Sequence, residues 1–239
     1  MLICNSLLYS ILIFGLAFGC QSAHPEAGNQ CGFDADSIRL RTWTQGEVDE
    51  DTTVRFRCRA DAIDVRFDCV DGDIDTPFVG RDSDLYKGDV VELFIDPAGD
   101  GRTIIEIQVN PNNDVLDLRL KYDPARQLTD TGRLTEDSVR KHFDSDRAFT
   151  LSDLETAAGR STNGYWIELR VQLEELRRAA GLKSIDSKKM RWNVVRLDRR
   201  SDGSMQASSL VRVDPGCQHI SPDRARLICT SGEADSNGG

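Results

Sequence analysis

Residues 90–110 read VVELFIDPAGDGRTIIEIQVN. Val90–Asp96 is a short apolar run that stops at Pro97 and the turn Ala98-Gly99-Asp100-Gly101. Thr103–Asn110 alternates, with Ile105, Ile107 and Val109 on one side and Glu106, Gln108 and Asn110 on the other. Two such runs joined by a glycine-bearing turn form an antiparallel hairpin. A parallel pair would need a crossover of a dozen or more residues, and none is available here. Within the first run Glu92 points away from Val91, Leu93 and Ile95.

The same period of two recurs on both sides. Thr53–Arg59 (TVRFRCR) and Ile63–Cys69 (IDVRFDC) alternate around Ala60-Asp61-Ala62, and Val115–Leu120 follows the turn Pro111–Asp114. Tyr165–Val171 (YWIELRV) and Arg191–Leu197 (RWNVVRL) complete the strong strands. Short strands separated by turn residues predict an all-β, antiparallel β-sandwich with one or two short helices. A helix is expected over Leu173–Ala180, ended by Gly181, and another helical turn over Ser152–Ala158. Residues 123–163 are the least regular stretch. Sheets that bury one face leave the other polar. Glu92, Glu106, Gln108 and Asn110, and likewise Trp166, Glu168 and Arg170, are therefore expected on exposed faces.

The chain has 239 residues, with 40 Asp and Glu against 30 Lys and Arg, for a net charge of −10. That length supports a sizeable core. The acidic balance argues against nucleic acid as a partner, because a phosphate backbone needs a Lys/Arg surface. No Gly-x-Ser-x-Gly elbow, P-loop or HExxH motif is present, so nothing in the sequence indicates an enzyme.

Residues 7–18 (LLYSILIFGLAF) are apolar and uncharged. The run is short for a bilayer span of about 20 residues and has the length of a signal-peptide core. It leads into Ala17-Phe18-Gly19-Cys20, which resembles a bacterial lipobox. The run predicts a signal peptide over 1–19, and the resemblance implies lipidation of Cys20; composition and the strand pattern predict a polar tether to residue 30, a domain over 31–230 and a flexible tail over 231–239. The expected location is the bacterial cell envelope, anchored to the membrane through the lipid. Gln21 rather than Asp follows the cysteine, which predicts the outer membrane in a Gram-negative source.

An exported chain can keep disulfides among Cys31, Cys58, Cys69, Cys217 and Cys229. Cys217 and Cys229 are the expected pair, closing a segment whose bridge would contribute about 3 kcal/mol in the chain-entropy model. A tight hairpin centred on Asp61 would set Cys58 opposite Asp64, which argues against a Cys58–Cys69 bridge.

Asp84–Pro97 (DLYKGDVVELFIDP) resembles the family 9 carbohydrate-binding modules and their bacterial relatives, whose pattern there is an aromatic, an Asp, two apolar residues, a Glu and a strand ending in Asp. Ile63–Asp71, Ile105–Asp117, Gly164–Leu176, Trp192–Asp198 and His219–Arg224 are similar to further family segments in the same order, covering about Thr53 to Cys229. The resemblance implies a β-sandwich without catalysis that binds carbohydrate between two aromatic residues. It places one aromatic at Tyr86 and the hydroxyl-binding polar groups at Glu92, Gln108 and Asn110. The second aromatic departs, since Leu210 stands where the family has Trp.

Family members often hold structural calcium, and Asp71, Asp73 and Asp75 beside Asp68 offer oxygen ligands suited to it, as a solvated acidic turn also would. No cofactor is required. A domain of this fold that has lost its sugar site is the alternative, a structural or interaction lipoprotein. Relatives of the fold also carry haem through Met with His or Lys. The candidates here are Met190, Met205, His142 and His219, without a CxxCH attachment motif.

Overall fold

The computed structural model describes residues 37–42, 47–122, 143–186, 189–211 and 225–226. Its strands, in chain order, are β1 (Ile38–Arg39), β2 (Arg41–Thr42), β3 (Thr52–Cys58), β4 (Ala62–Val70), β5 (Val90–Asp96), β6 (Thr103–Val109), β7 (Val115–Tyr122), β8 (Phe143–Asp146), β9 (Glu155–Ser161), β10 (Gly164–Gln172), β11 (Arg191–Arg199), β12 (Met205–Ser209) and β13 (Ala225–Arg226). One sheet runs β1-β3-β4-β10-β9. The other runs β2-β12-β11-β5-β6-β7-β8, with β13 also paired to β11. Every strand pair is antiparallel. Together the two sheets form the expected sandwich.

The inner faces meet in the main core. Val65 and Phe67 of β4 and Tyr165, Ile167 and Leu169 of β10 pack toward Leu93, Ile107, Trp192 and Val194 of the other sheet. The Phe56 and Trp192 rings meet edge to face, 6.5 Å between centroids. Each strand contributes alternate residues to this layer, as period two requires.

The β5–β6 hairpin is held by Asp96, whose two carboxylate oxygens accept the Gly99 and Gly101 amides at 2.9 and 2.8 Å. Gly99 has φ +71°, and a Cβ there would lie 2.1 Å from the Lys189 carbonyl oxygen. Only glycine fits that corner.

The predicted hairpins hold, but one register shifts. The β3–β4 connection is closed by Arg59 N–H donating to the Ala62 carbonyl at 2.8 Å. Cys58 therefore faces Ile63, and Arg57 faces Asp64. Buried Asp64 collects three guanidiniums: Arg57 and Arg59 on Oδ2 at 2.7 Å each, and Arg170 on Oδ1 at 2.8 Å. Burial works against the Asp64 charge, but the three arginine bonds outweigh it and hold its carboxyl below the usual range. Its stabilising contribution is present above the unfolded carboxylate pKa and is lost as pH falls through the lower, folded one. Acid denaturation of Asp64→Asn should therefore begin from lower stability and show a shallower loss below pH 4 than wild type. Equal acid slopes would refute this.

Ser152–Ala158 is not a helical turn. Glu155–Ser161 is β9, the edge strand, paired along its length with β10. The alanines favour a helix locally, but ladder bonds to Trp166–Arg170 override that weak preference. Gly159 fits the strand for a packing reason: the Trp166 indole lies over it, and a Cβ there would approach the ring to 2.6 Å. The helix α1 (Leu173–Ala179) forms where expected, with Glu174 and Glu175 in its first turn, Arg177 and Arg178 in its last, and Gly181 at φ +67° beyond it. No helix of the described residues is long and apolar enough to cross a membrane.

Cys58 is disulfide-bonded. Cys69 is a buried free thiol, which burial pushes up to about 11. Cys217 and Cys229, Cys20 with its leader and tether, and the tail all lie outside the described residues, as do His142 and His219. Met190 is buried in the main core, whereas Met205 is exposed on β12.

Candidate functional site

β5, β6, β7 and β11 lie side by side, and their registers decide which residues share the outer face of the larger sheet. Glu92 pairs with Gln108 on one side and Val195 on the other. Gln108 in turn faces Leu116, and Glu106 faces Leu118. The leucines of β7 therefore point to the Glu92 side, while Asp117 and Arg119 point inward. With Val90, Phe94, Ile104 and Leu197 they form a second apolar layer, onto which Phe78 and Leu85 pack.

This corrects the expectation of an exposed polar face. Glu92 and Glu106 are each 4% exposed, Gln108 3% and Asn110 1%. The site residues stand within a small core, and the apolar run of β5 reflects burial on both faces.

Gln108 Nε2 donates to Glu106 Oε1 at 2.6 Å, while Gln108 Oε1 is buried with no partner. Burial and the adjacent Glu106 carboxylate push the Glu92 carboxyl well above its ordinary pKa. Neither Arg170 nor Arg196 pairs with Glu92. Arg170 belongs to the other sheet and binds Asp64 and Glu155. Arg196 points to the inner side of its own sheet.

Asn110 is a loop-former. Its Nδ2 donates to the Phe78 carbonyl and to Asp114 Oδ2, at 3.2 and 3.1 Å. Its Oδ1 accepts the Asn112 and Asp114 amides at 3.0 and 2.8 Å. Its hydrogen-bonding capacity is used by the turn that follows β6 and by the Phe78 carbonyl. Tyr86 lies on a 3-10 turn, Leu85–Lys87, beside this face and is 36% exposed. The Lys87 ammonium stands 5.7 Å from its ring centroid and 5.6 Å from that of Phe78. The structure thus brings Glu92 and Gln108 together and adds Glu106. It assigns Asn110 to the turn and leaves Tyr86 at the surface. Leu210, at the position of the missing second aromatic, packs against the main core.

The acidic loop does not form one ligand set. Asp73 Oδ2 accepts the Ser201 amide at 2.8 Å, and its own amide donates to Asp71 Oδ1 at 2.8 Å. The Asp75 amide and carbonyl both bond Asp89. Among the described residues the carboxylates that converge are Glu50, Asp71 and Asp198, with one oxygen of each within 4.8 Å of the others.

A cation already stands among them. Arg196 Nη2 lies 3.0 Å from Asp71, 3.4 Å from Asp198 and 3.6 Å from Glu50. A guanidinium in that position repels a divalent ion, so these residues do not fit a calcium site. Close by, Asp89 accepts the Asp75 and Arg199 amides at 2.6 and 2.7 Å. Burial nevertheless pushes its carboxyl up to about 7. The motif spacing has no signal for Arg196 as the centre, because Glu50 and Asp71 come from segments far from its own strand.

No family profile and no curated protein matches the sequence. Solved structures do match. A family 9 carbohydrate-binding module from Caldicellulosiruptor kristjanssonii in complex with cellotriose aligns at TM-score 0.53 and 14% identity, over 83% of this chain and 86% of that one. The module in complex with glucose gives 0.50 at 14% identity, over 82% and 87%. A protein from Bacteroides uniformis gives 0.56 at 9% identity, over 79% and 83%. The chain has the β-sandwich fold of the family 9 carbohydrate-binding modules.

Proposed function

We propose that this chain is a non-catalytic carbohydrate-binding domain, with its site on the Glu92–Glu106–Gln108 face beside Tyr86. The observation that carries this reading is the hydrogen-bond imbalance of the cluster. Two carboxyl groups and an amide oxygen accept there, and of the three side chains only the Gln108 amide always donates. Sugar hydroxyls supply the missing donors, and the Tyr86 ring offers an apolar surface for a pyranose. The fold supports the reading, since neighbours of the same architecture bind cellotriose and glucose. Ligand entry requires Phe78 and Leu85 to shift, because they pack on the same layer.

Tyr86→Ala should weaken binding of a neutral oligosaccharide about fivefold, since one ring stack contributes around 1 kcal/mol. Its melting temperature should stay within about 2 °C of wild type, as expected for a surface change. Titration calorimetry with a panel that includes cellotriose reads the first, and calorimetric melting the second. A wild type that binds no member of the panel at millimolar concentration overturns the reading.

A second reading is favoured by the burial of Glu92 and Gln108 and by the saturated Asn110. In it the domain is a structural or interaction module whose sugar site has closed. Under either reading the N-terminal run and Cys20 support export with a lipid anchor at the cell envelope. Cys20→Ser should abolish incorporation of a labelled fatty acid, and retained label would refute the anchor.

A further inference from the structure

Glu92 and Gln108 are register partners on β5 and β6, so their Cβ atoms lie about 4.5–5.5 Å apart on one face. Gln108 spends its Nε2 on Glu106, which leaves its buried Oε1 without a donor. Among the described residues Glu92 makes no hydrogen bond and meets no cation. β7 presents leucines, and β11 presents Val195 and Leu197. The other acid on β5, Asp96, binds the Gly99 and Gly101 amides, and Lys87 of the 3-10 turn binds Asp84 at 2.7 Å. An orphaned acceptor thus faces a carboxyl group that has no other counterpart.

We propose that Glu92 is a neutral carboxylic acid whose proton is donated to Gln108 Oε1, completing a relay from Glu92 through Gln108 to Glu106. The relay leaves Glu106 as the single carboxylate of the face. A site so charged accepts hydroxyl hydrogens from a neutral sugar and repels a uronate. The ligand half rests on the carbohydrate reading of this face, whereas the proton half rests on geometry alone. Burial beside Glu106 supports it, because two adjacent carboxylates in a low-dielectric layer do not both ionise. The native state holds this proton more tightly than the unfolded chain. Its contribution to stability is therefore full at low pH and lost as pH rises through the folded pKa.

Carbon-13 carboxyl NMR on the full chain tests the proton. The Glu92 signal is assigned by its disappearance in Glu92→Gln. The expected midpoint lies well above the ordinary glutamate range, and a midpoint within that range overturns the proposal. Glu92→Gln keeps a donor for Gln108 Oε1, so it should fold and lose part of the wild-type decline in stability from pH 5 to 8. The rest of the decline belongs to Asp89, Asp117 and Asp198, whose carboxyls burial also raises, and an unchanged slope counts against the relay. Cellotriose should bind at least tenfold more weakly at pH 8 than at pH 5, and trigalacturonate should bind at neither. Preference for the uronate overturns the ligand half. A high Glu92 midpoint with no cellotriose binding upholds the relay and rejects the carbohydrate reading instead.

Discussion

Arg196→Ala is expected to destabilise the domain by about 3–5 kcal/mol, the range for breaking a buried ion network from one side. Arg196 is 1% exposed. Its Nη1 donates to the Val70 carbonyl at 2.7 Å and to Thr52 Oγ1 at 3.3 Å, while Nη2 serves Asp71, Asp198 and Glu50. It ties the end of the smaller sheet to β11 of the larger one. Removing it strands buried Asp71 and Asp198 and a carbonyl beside part-exposed Glu50, and leaves a void beside Tyr165, whose ring centroid lies 5.6 Å from Arg196 Cζ.

At roughly 2–4 °C per kcal/mol for a domain of this size, the melting temperature should fall by about 6–20 °C. The loss should be smaller at pH 5 than at pH 8, because stranded acids take up protons more readily at the lower pH. Burial already raises Asp198 even with the arginine in place. Urea denaturation at the two pH values measures both effects. A fall under 1 kcal/mol at pH 8 would show that the network is not the tie between the sheets.

Gly164→Ala should cost about 3 kcal/mol or more, for a backbone reason. Gly164 opens β10 with φ +155°, a conformation side chains rarely adopt. A Cβ there would lie 2.0 Å from the Cys69 carbonyl oxygen and 2.8 Å from the Asp71 amide nitrogen. Those atoms belong to the backbone of the neighbouring strand and cannot swing aside as a side-chain end could, so β4 and β10 must part where Gly164 pairs with Val70. That end also carries the Val70 carbonyl and Asp71, both partners of Arg196. The double variant Gly164→Ala/Arg196→Ala should therefore lose less than the sum of the single losses, by 0.5 kcal/mol or more. Additive losses would mean that the two sites act independently.

The sequence by itself determined the sandwich. Alternation in Ile63–Cys69, Thr103–Asn110 and Tyr165–Val171, together with turns such as Pro97–Gly101, leaves little choice but short antiparallel strands, because period two sets the side-chain direction whatever the neighbours are. It also determined that Glu92 and Gln108 share one side, a consequence of position within each strand. It did not determine which side of β7 meets them. Leu116, Leu118 and Leu120 alternate as clearly as any residues in the chain, but only the register with β6 shows that they face outward and bury Glu92 and Gln108 instead of leaving them in solvent. β9 was lost for the same reason, since its alanines carry no strand signal until β10 supplies the ladder. The Arg196 cluster draws Glu50, Asp71 and Asp198 from separate segments. A guanidinium among three carboxylates depends on distances through space, and those exist only once the two sheets have packed.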